Sequence, residues 1–537
     1  MIFQPHKQYR IRWRQLIVEE LGGRRGHIFC CFFTGWRVEA ARIGRKIERI
    51  TAFEAAVHLG QRIWRAIWPC GRPDQGIEAA RLERLEQRSQ KGGLMVTRRI
   101  LAVGAIGGAA GLGLPRLFGR SAGAKETQPY QDDNKRKPST NIRYVRPAGS
   151  GRRSGNDWQN AAALADINEM IRLVGPDGTV HLLADAGPYQ MTDPIVISFG
   201  GTAGRPVKIA GVDSAGAPAK ALITGTRTSP YPTTHEAFAA MNRGKDVFRL
   251  KAGASHLHFS FLSFQNIGNG ALLVQANVAD LTLEDITARN VTRFVERGLG
   301  NMCTIIGFTV RRVSIEGFSK SAFRLDQNTS NVIMENVLGD SMHQDFDNFA
   351  EGVDLSGNVH DVVFRRCVMR NSQQTRGPDD FWNADGFTSE LNTYNILFED
   401  CVASGNTDAG FDLKSNNVTL RRCRSYDNTA NFKLWGRQGV VMEECVSENP
   451  LHHGGRQGPK HVTAPWGANI LVKNCRFTDQ NHAAIVYHTE ANEKADPPTG
   501  STITVANSSV SSSGALSFVD LNSKVSIDGV DRPFDRH

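Results

Sequence analysis

The chain predicts an all-β fold: a right-handed parallel β-helix, a single-stranded solenoid of about ten coils, with a capping helix at its N-terminal end. Two observations carry this. A pattern of apolar-x-apolar-x-x-small or apolar recurs nine times, and five of the nine cysteines fall at one fixed place in it. The copies begin at Leu257, Leu281, Phe308, Val332, Val362, Ile396, Val418, Val440 and Ile470, 22 to 34 residues apart. Period-two alternation buries one face of a strand. The residues between copies are rich in Asn, Gly and Ser, as turns require. A sandwich would also show many strands, but it would not hold one side chain at the same place in every copy. Coils stacked about 4.8 Å apart turn like residues into ladders.

The ladder explains the cysteines Cys367, Cys401, Cys423, Cys445 and Cys475. Parallel Cβ vectors on neighbouring coils sit slightly too far apart for an unstrained disulfide. The expectation is a row of buried thiols acting as small hydrophobes. A straight row cannot surround a metal ion.

The element order begins before the repeat. The chain has 537 residues and a formal charge of +10, but residues 1–94 carry +9 and residues 95–124 a further +4, which leaves the rest at −3. The basic character is therefore N-terminal, and no basic patch with interleaved aromatics suggests nucleic acid. Residues 95–124 run from Met95 through Arg98-Arg99, an uncharged Gly/Ala/Leu stretch and Ser121-Ala-Gly-Ala124. That is a charged start, an apolar core and a small-residue cleavage site, with a twin-arginine look. It predicts export to the periplasm or beyond, with no stable membrane anchor after removal. Residues 1–94 read as an N-terminal extension placed ahead of the true start at Met95, or as a disordered cytosolic segment. Residues 125–141 read as linker, and residues 142–537 as the β-helix, expected to be a monomer.

Within 142–190 lies the expected cap. Tyr144-Val-Arg-Pro starts a strand and turn. Asp157 is the expected N-cap of a helix through Ala161, Ala162, Leu164, Ile167, Ile171 and Leu173, and Gly178-Thr-Val-His-Leu-Leu follows as a strand. Such a helix covers the apolar end of the first coil.

The chemistry-bearing residues cluster in the short, regular coils. Asp385 lies 11 residues before Ile396 and Asp408 lies 10 before Val418; Asp412 lies 6 before Val418 and Lys433 lies 7 before Val440. On this count Asp385 and Asp408 occupy matching places, and Asp412 and Lys433 do the same beside them. Three carboxylates side by side repel unless a cation sits among them, and hard oxygen ligands suit Ca²⁺. A lysine beside such an ion is disfavoured as an ammonium and becomes a usable base. That equipment removes the C5 proton of a uronate, and the 4-linked sugar leaves by β-elimination. Asp and Asn that merely satisfy turn backbones are the other reading of the same residues. Insertions at 371–384 and 450–468 are expected to wall the cleft.

The runs Asn383-Ala-Asp-Gly-Phe, Asn406-Thr-Asp-Ala-Gly-Phe-Asp-Leu and Phe432-Lys-Leu, with the opening Tyr144-Val…Gly-Ser-Gly…Trp158, resemble polysaccharide lyase family nine. The resemblance covers roughly residues 142–480, with specific motifs at 383–435. It implies a right-handed β-helix that cleaves a pectate-like acidic polysaccharide with Ca²⁺. It makes Asp385, Asp408 and Asp412 calcium ligands and Lys433 the base. Trp435 and Arg437 are the expected substrate contacts, with Trp435 either a sugar-stacking platform or a packed turn residue. Two departures stand out. The family has a further Asp where this chain has Ala409, and its lysine precedes Leu-Gly-Gly where this chain has Leu434-Trp435-Gly436. Glu351, 11 residues before Val362, falls in the column of Asp385 and offers a carboxylate in compensation.

Other chemistry lacks parts. No Gly-His-Gly or Arg-Ile-Lys segment completes a paired-carboxylate hydrolase. His452, His453, His461, His482 and His488 fall in Gly-rich loops without zinc spacing, and read as solvated or substrate-edge residues. The alternatives to a lyase are a non-catalytic glycan-binding β-helix and a uronan C5-epimerase.

Overall fold

The structure is a computed structural model that describes residues 141–297, 303–347, 349–375, 380–480 and 482–534. The extension, the export signal and the linker expected over 1–140 lie outside the described residues. Among the described residues, no helix is long and apolar enough to cross a membrane.

The pairing is parallel throughout, apart from a terminal hairpin-like pair at Lys524–Ile527 and Val530–Asp531 and isolated bridges. Each strand bonds to the equivalent strand one coil later, so the chain winds as a solenoid. In the central coils every turn contributes three strands. One turn is Ala384–Ser389, Tyr394–Glu399 and Val402–Ser404; the next is Ala409–Leu413, Asn416–Arg421 and Arg424–Tyr426. Three parallel sheets enclose the core. The expected copies stack in register, Val362 beside Ile396, Ile396 beside Val418, and Val418 beside Val440. The column continues past them, to Ile503 and Val525 at one end and to Val207 and Ile209, then Val180, at the other. Strands outside the nine copies thus extend the solenoid at both ends, and Val207/Ile209/Val212 and Val525/Ile527/Val530 carry the same alternation.

Inside the tube, like sits on like. Phe387, Phe411 and Phe432 stack face to face, with centroids 5.0 and 5.2 Å apart, and Phe364 stacks on Phe398 at 4.8 Å. The five ladder cysteines are buried and free. The residue before each cysteine takes the left-handed conformation, as at Asp400 (φ 54°) and Arg422 (φ 52°). That bend carries the chain from the second sheet to the third. A side chain there is disfavoured by about 1–2 kcal/mol; stacking offsets this, with Arg422 donating to Asp400 at 2.8 Å.

The outer face of the second sheet carries a column of alternating charge: Glu284, Arg311, Glu335, Arg365, Glu399, Arg421, Glu443 and Lys473. Arg365 reaches Glu335 at 3.2 Å and Glu399 at 3.3 Å.

The N-terminal helix is shorter than expected. Ala162–Ala163 pair with Ile142–Arg146 as a strand, and helix α1 spans Ile167–Val174. Asp157 is not its N-cap; its carboxylate accepts the Asn160 amide at 2.8 Å and closes a local turn. The strand pairing holds 162–163 extended and delays the helix. Ile167, Met170, Ile171 and Val174 face inward, onto the first coil.

Candidate functional site

Three successive strands of the first sheet build the site: Ala384–Ser389, Ala409–Leu413 and Ala430–Leu434. Each has a phenylalanine inside, so the following residue points out. Thr388, Asp412 and Lys433 form that outward column. Asp385 and Ala409 form a second one beside it, since the register that sets Phe387 against Phe411 sets Asp385 opposite Ala409. This corrects the expected pairing of Asp385 with Asp408. The connection from Phe387 to Ile396 is two residues longer than that from Phe411 to Val418, so counting back across it misplaces the column. Asp408 precedes its strand, and its amide donates to the Ala384 carbonyl at 2.9 Å.

The four residues nevertheless converge. One carboxylate oxygen from each of Asp385, Asp408 and Asp412 lies within 4.8 Å of the others. Lys433 Nζ lies 3.0 Å from Asp408 Oδ2 and 3.2 Å from Asp412 Oδ2. The cluster is covered: the side chains of Asp408 and Asp412 are 2% and 5% exposed, and Lys433 14%. Asp385 Oδ1 accepts the Ala409 amide at 2.7 Å, and Asp412 Oδ1 accepts Trp435 Nε1 at 2.6 Å.

Burial and the neighbouring Asp408 and Asp412 hold the Asp385 carboxyl well above the usual range. Burial opposes the charge on Lys433, but Asp408, Asp412 and Asp385 outweigh it and hold the ammonium firmly protonated. Burial also works against Asp412, yet Lys433, Lys414 and the Trp435 hydrogen bond leave it below the usual range. Burial also holds Asp408 above the usual range, so the shortfall of positive charge falls on Asp385 and Asp408. A hard divalent cation fits such a donor set. Asp385, Asp408 and Asp412 are the residues that would hold it.

Glu351 does lie in the Asp385 column, directly in register. It stands outside the three-carboxylate group, and burial, Asp354 and Asp385 raise its carboxyl well above the usual range. Trp435 is half-buried and its indole N–H is tied to Asp412. Its ring meets Trp466 edge-on at 5.2 Å, and Trp466 is 52% exposed. Arg437 is exposed in the turn that follows, where its amide donates to Asn416; the structure does not bring it into the cluster.

The two inserts do wall the site. Trp382 packs on Gly454 and Gly455, the Arg456 amide donates to the Asp380 carbonyl at 3.0 Å, and the Phe381 ring lies 5.6 Å from Lys433 Nζ. Two surface concavities of about 610 and 640 Å³ lie elsewhere, around Tyr231–Gln344 and over the second sheet. Neither includes the cluster, because the inserts cover it; charge and geometry, not open volume, single it out. His461 and His488 are not loop residues. His461 lies in the strand Lys460–Pro465, wholly buried, with Nδ1 2.7 Å from Ser447 Oγ. His488 lies in the strand Ile485–Glu490.

The reading from sequence missed Lys414, Trp466, Lys460 and Asp354 on this face. A repeated triplet would have found part of it: Phe323-Arg-Leu, Val353-Asp-Leu, Phe387-Thr-Ser, Phe411-Asp-Leu, Phe432-Lys-Leu, each with its middle residue outward.

A family model described as "Right handed beta helix region" matches residues 299–454 and 381–530. A search of curated proteins finds no match. Among solved structures, pectate lyase Pel9A is 18% identical, with 57% of this chain and 76% of that one covered and a TM-score of 0.39. The A-module of the Azotobacter vinelandii mannuronan C-5 epimerase AlgE4 is 13% identical, with coverage of 65% and 91% and a TM-score of 0.45. A rhamnogalacturonan lyase is 16% identical, with coverage of 72% and 87% and a TM-score of 0.33. The parallel register and the family match together give the conclusion: the chain is a right-handed parallel β-helix protein.

Proposed function

We propose that the protein is a calcium-dependent lyase of a uronate-containing, pectate-like polysaccharide, with Lys433 as the base. The observation that carries this is the convergence of Asp385, Asp408 and Asp412 on Lys433 from successive coils of one outer face. When bound, Ca²⁺ would supply the positive charge that draws the carboxylates away from Lys433 and that holds and acidifies a uronate. Asp385, Asp408 and Asp412 would hold the ion. Lys433, largely buried and then short of partners, would lose its proton readily, since burial disfavours the ammonium. It takes the C5 proton; the C5–H electron pair forms the C4=C5 bond, and the C4–O4 bond breaks. The departing oxygen takes up a proton. Trp435 fixes Asp412 by its hydrogen bond, and the exposed Trp466 ring offers a face on which a sugar can stack.

Ala409 and the tight ion pairs of Lys433 favour a second reading, a β-helix that binds uronans without cutting them. The test is absorbance of the unsaturated uronide on adding the full-length protein to polygalacturonate, alginate and other uronans, with Ca²⁺ or with chelator. The expected result is a Ca²⁺-dependent rise that Lys433→Ala abolishes. Folded protein that gives no rise on any uronan overturns the lyase reading; C5 inversion seen by NMR would then select an epimerase, and its absence the binding protein.

A further inference from the structure

The concavity of about 610 Å³ around Tyr231 and Gln344 lies away from the carboxylate cluster, in earlier coils. Its volume falls in the range of small-ligand sites. Along it runs a ladder at the outer edge of the third sheet. Gln265 is in register with Arg289, and Arg289 with Glu316, each one coil from the next. All three line the concavity.

The walls are fixed by bonds of their own. On one side, Asn290 Nδ2 donates to the Thr228 carbonyl at 2.9 Å, and the Tyr231 hydroxyl donates to the Asp345 carbonyl. Arg227, 2% exposed, ties this wall to the solenoid by donating to Asn290 Oδ1 at 3.1 Å and Ser319 Oγ at 2.8 Å. On the other side, Asp345 Oδ1 accepts the amides of Phe346 at 2.6 Å and Thr375 at 3.2 Å. The concavity is therefore preformed.

The charged groups of the ladder are accessible and unengaged. Arg289 and Glu316 are both exposed, and neither side chain has a hydrogen bond or ion pair among the described residues. Further along the same column, Asp340 and Arg370 do pair, at 2.8 Å. An amide that donates and accepts, a guanidinium that only donates and a carboxylate that only accepts thus follow one another. A ligand that meets all three must both donate and accept, and needs no net charge. The three recur at about 4.8 Å. An extended peptide repeats its groups on one side only every two residues, about 6.6 Å, and falls out of step. A pyranose unit advances by close to one coil, and its hydroxyls can accept from a guanidinium or donate to a carboxylate.

We infer that this concavity is a glycan site, which binds a short uncharged oligosaccharide along Gln265, Arg289 and Glu316. It does not depend on the lyase reading, which concerns other coils and a charged sugar. A polysaccharide with both uronate and neutral stretches would have a place for each on one solenoid.

The test is calorimetry on the full-length protein in chelator, with cellotriose, maltotriose, mannotriose, galactotriose and xylotriose, and with trigalacturonate as the charged comparison. At least one neutral trisaccharide is expected to bind, and Arg289→Leu and Glu316→Leu should each weaken it about tenfold, the loss of a hydrogen bond to a charged group. Both residues are exposed, so the variants should melt as wild type does. Lys433→Ala should bind the neutral sugar unchanged. No binding of any neutral trisaccharide overturns the inference. So does an affinity that both variants leave intact, or one that Lys433→Ala abolishes instead. If Arg289→Leu weakens trigalacturonate alone, the site takes an anion and the uncharged-glycan assignment falls.

Discussion

Lys433→Met removes the one ammonium inside the carboxylate cluster. Its Nζ faces Asp408 at 3.0 Å and Asp412 at 3.2 Å, with both acids almost fully covered. At an effective dielectric constant of about 20, each contact is worth about 5 kcal/mol before dehydration is counted. Dehydrating the ammonium offsets much of that. Removing one partner of a buried pair costs about 3–5 kcal/mol, because the carboxylates left behind stay buried and unpaired. Unfolding roughly 400 residues at about 2.1 cal/mol/K each gives about 0.8 kcal/mol/K, so the midpoint in chelator should fall by about 4–6 °C. The same change removes the cation's competitor. Calcium should therefore stabilise Lys433→Met more than wild type, and at lower concentration, since a ligand of the folded state alone raises stability by mass action. Thermal melts with chelator and along a calcium series read both effects. A variant as stable as wild type in chelator would refute the ion-pair argument. A variant indifferent to calcium would refute the shared-ligand argument.

Two further outcomes are expected. Burial pushes His461 down to about 4. The unfolded chain takes up this proton near pH 6.5, so the stability is whole above that pH and is lost as the pH falls toward 4, by about 3 kcal/mol; urea unfolding from pH 7 to 4.5 should show this slope, and His461→Asn should flatten it. Arg365→Glu places three acids in a row on the second sheet; with the side chain more than a third exposed the cost should be about 1 kcal/mol, most of it recovered in 0.5 M salt. A loss that salt leaves unchanged would point to packing instead.

The fold was largely legible because a solenoid repeats its burial pattern. The cysteines stood out since each follows the same left-handed bend, whose chemistry differs from coil to coil while its place does not. The ends were less legible. Val207 and Ile503 sit in the same column as Val418, but the Val207 copy starts 50 residues before Leu257, outside the repeat spacing, and the Ile503 copy ends on the polar Ser508. Asp157 had the right chemistry for a cap and lost to strand pairing at Ala162–Ala163, a tertiary effect that no local motif announces. The convergence of the three carboxylates and Lys433 was legible, but through an incorrect count: Asp385 and Asp408 meet although they are out of register, because Asp408 reaches in from the turn. Lys414, Lys460 and Trp466 were missed because each reaches the site from outside the three motif runs. His461 was placed in a loop because the glycines before it, Gly454, Gly455 and Gly458, hid the strand start at Lys460.

The charge column on the second sheet has a consequence for how the solenoid changes length. Its signs alternate coil by coil from Glu284 to Lys473. Removing the coil that carries Arg421 brings Glu399 against Glu443, a repulsive pair. Removing that coil together with the one carrying Glu443 brings Glu399 against Lys473, an attractive one. Insertion obeys the same parity. The electrostatic unit of this stretch is thus two coils, although the structural unit is one, and lengthening or shortening by even steps is the route that keeps every neighbour of opposite sign.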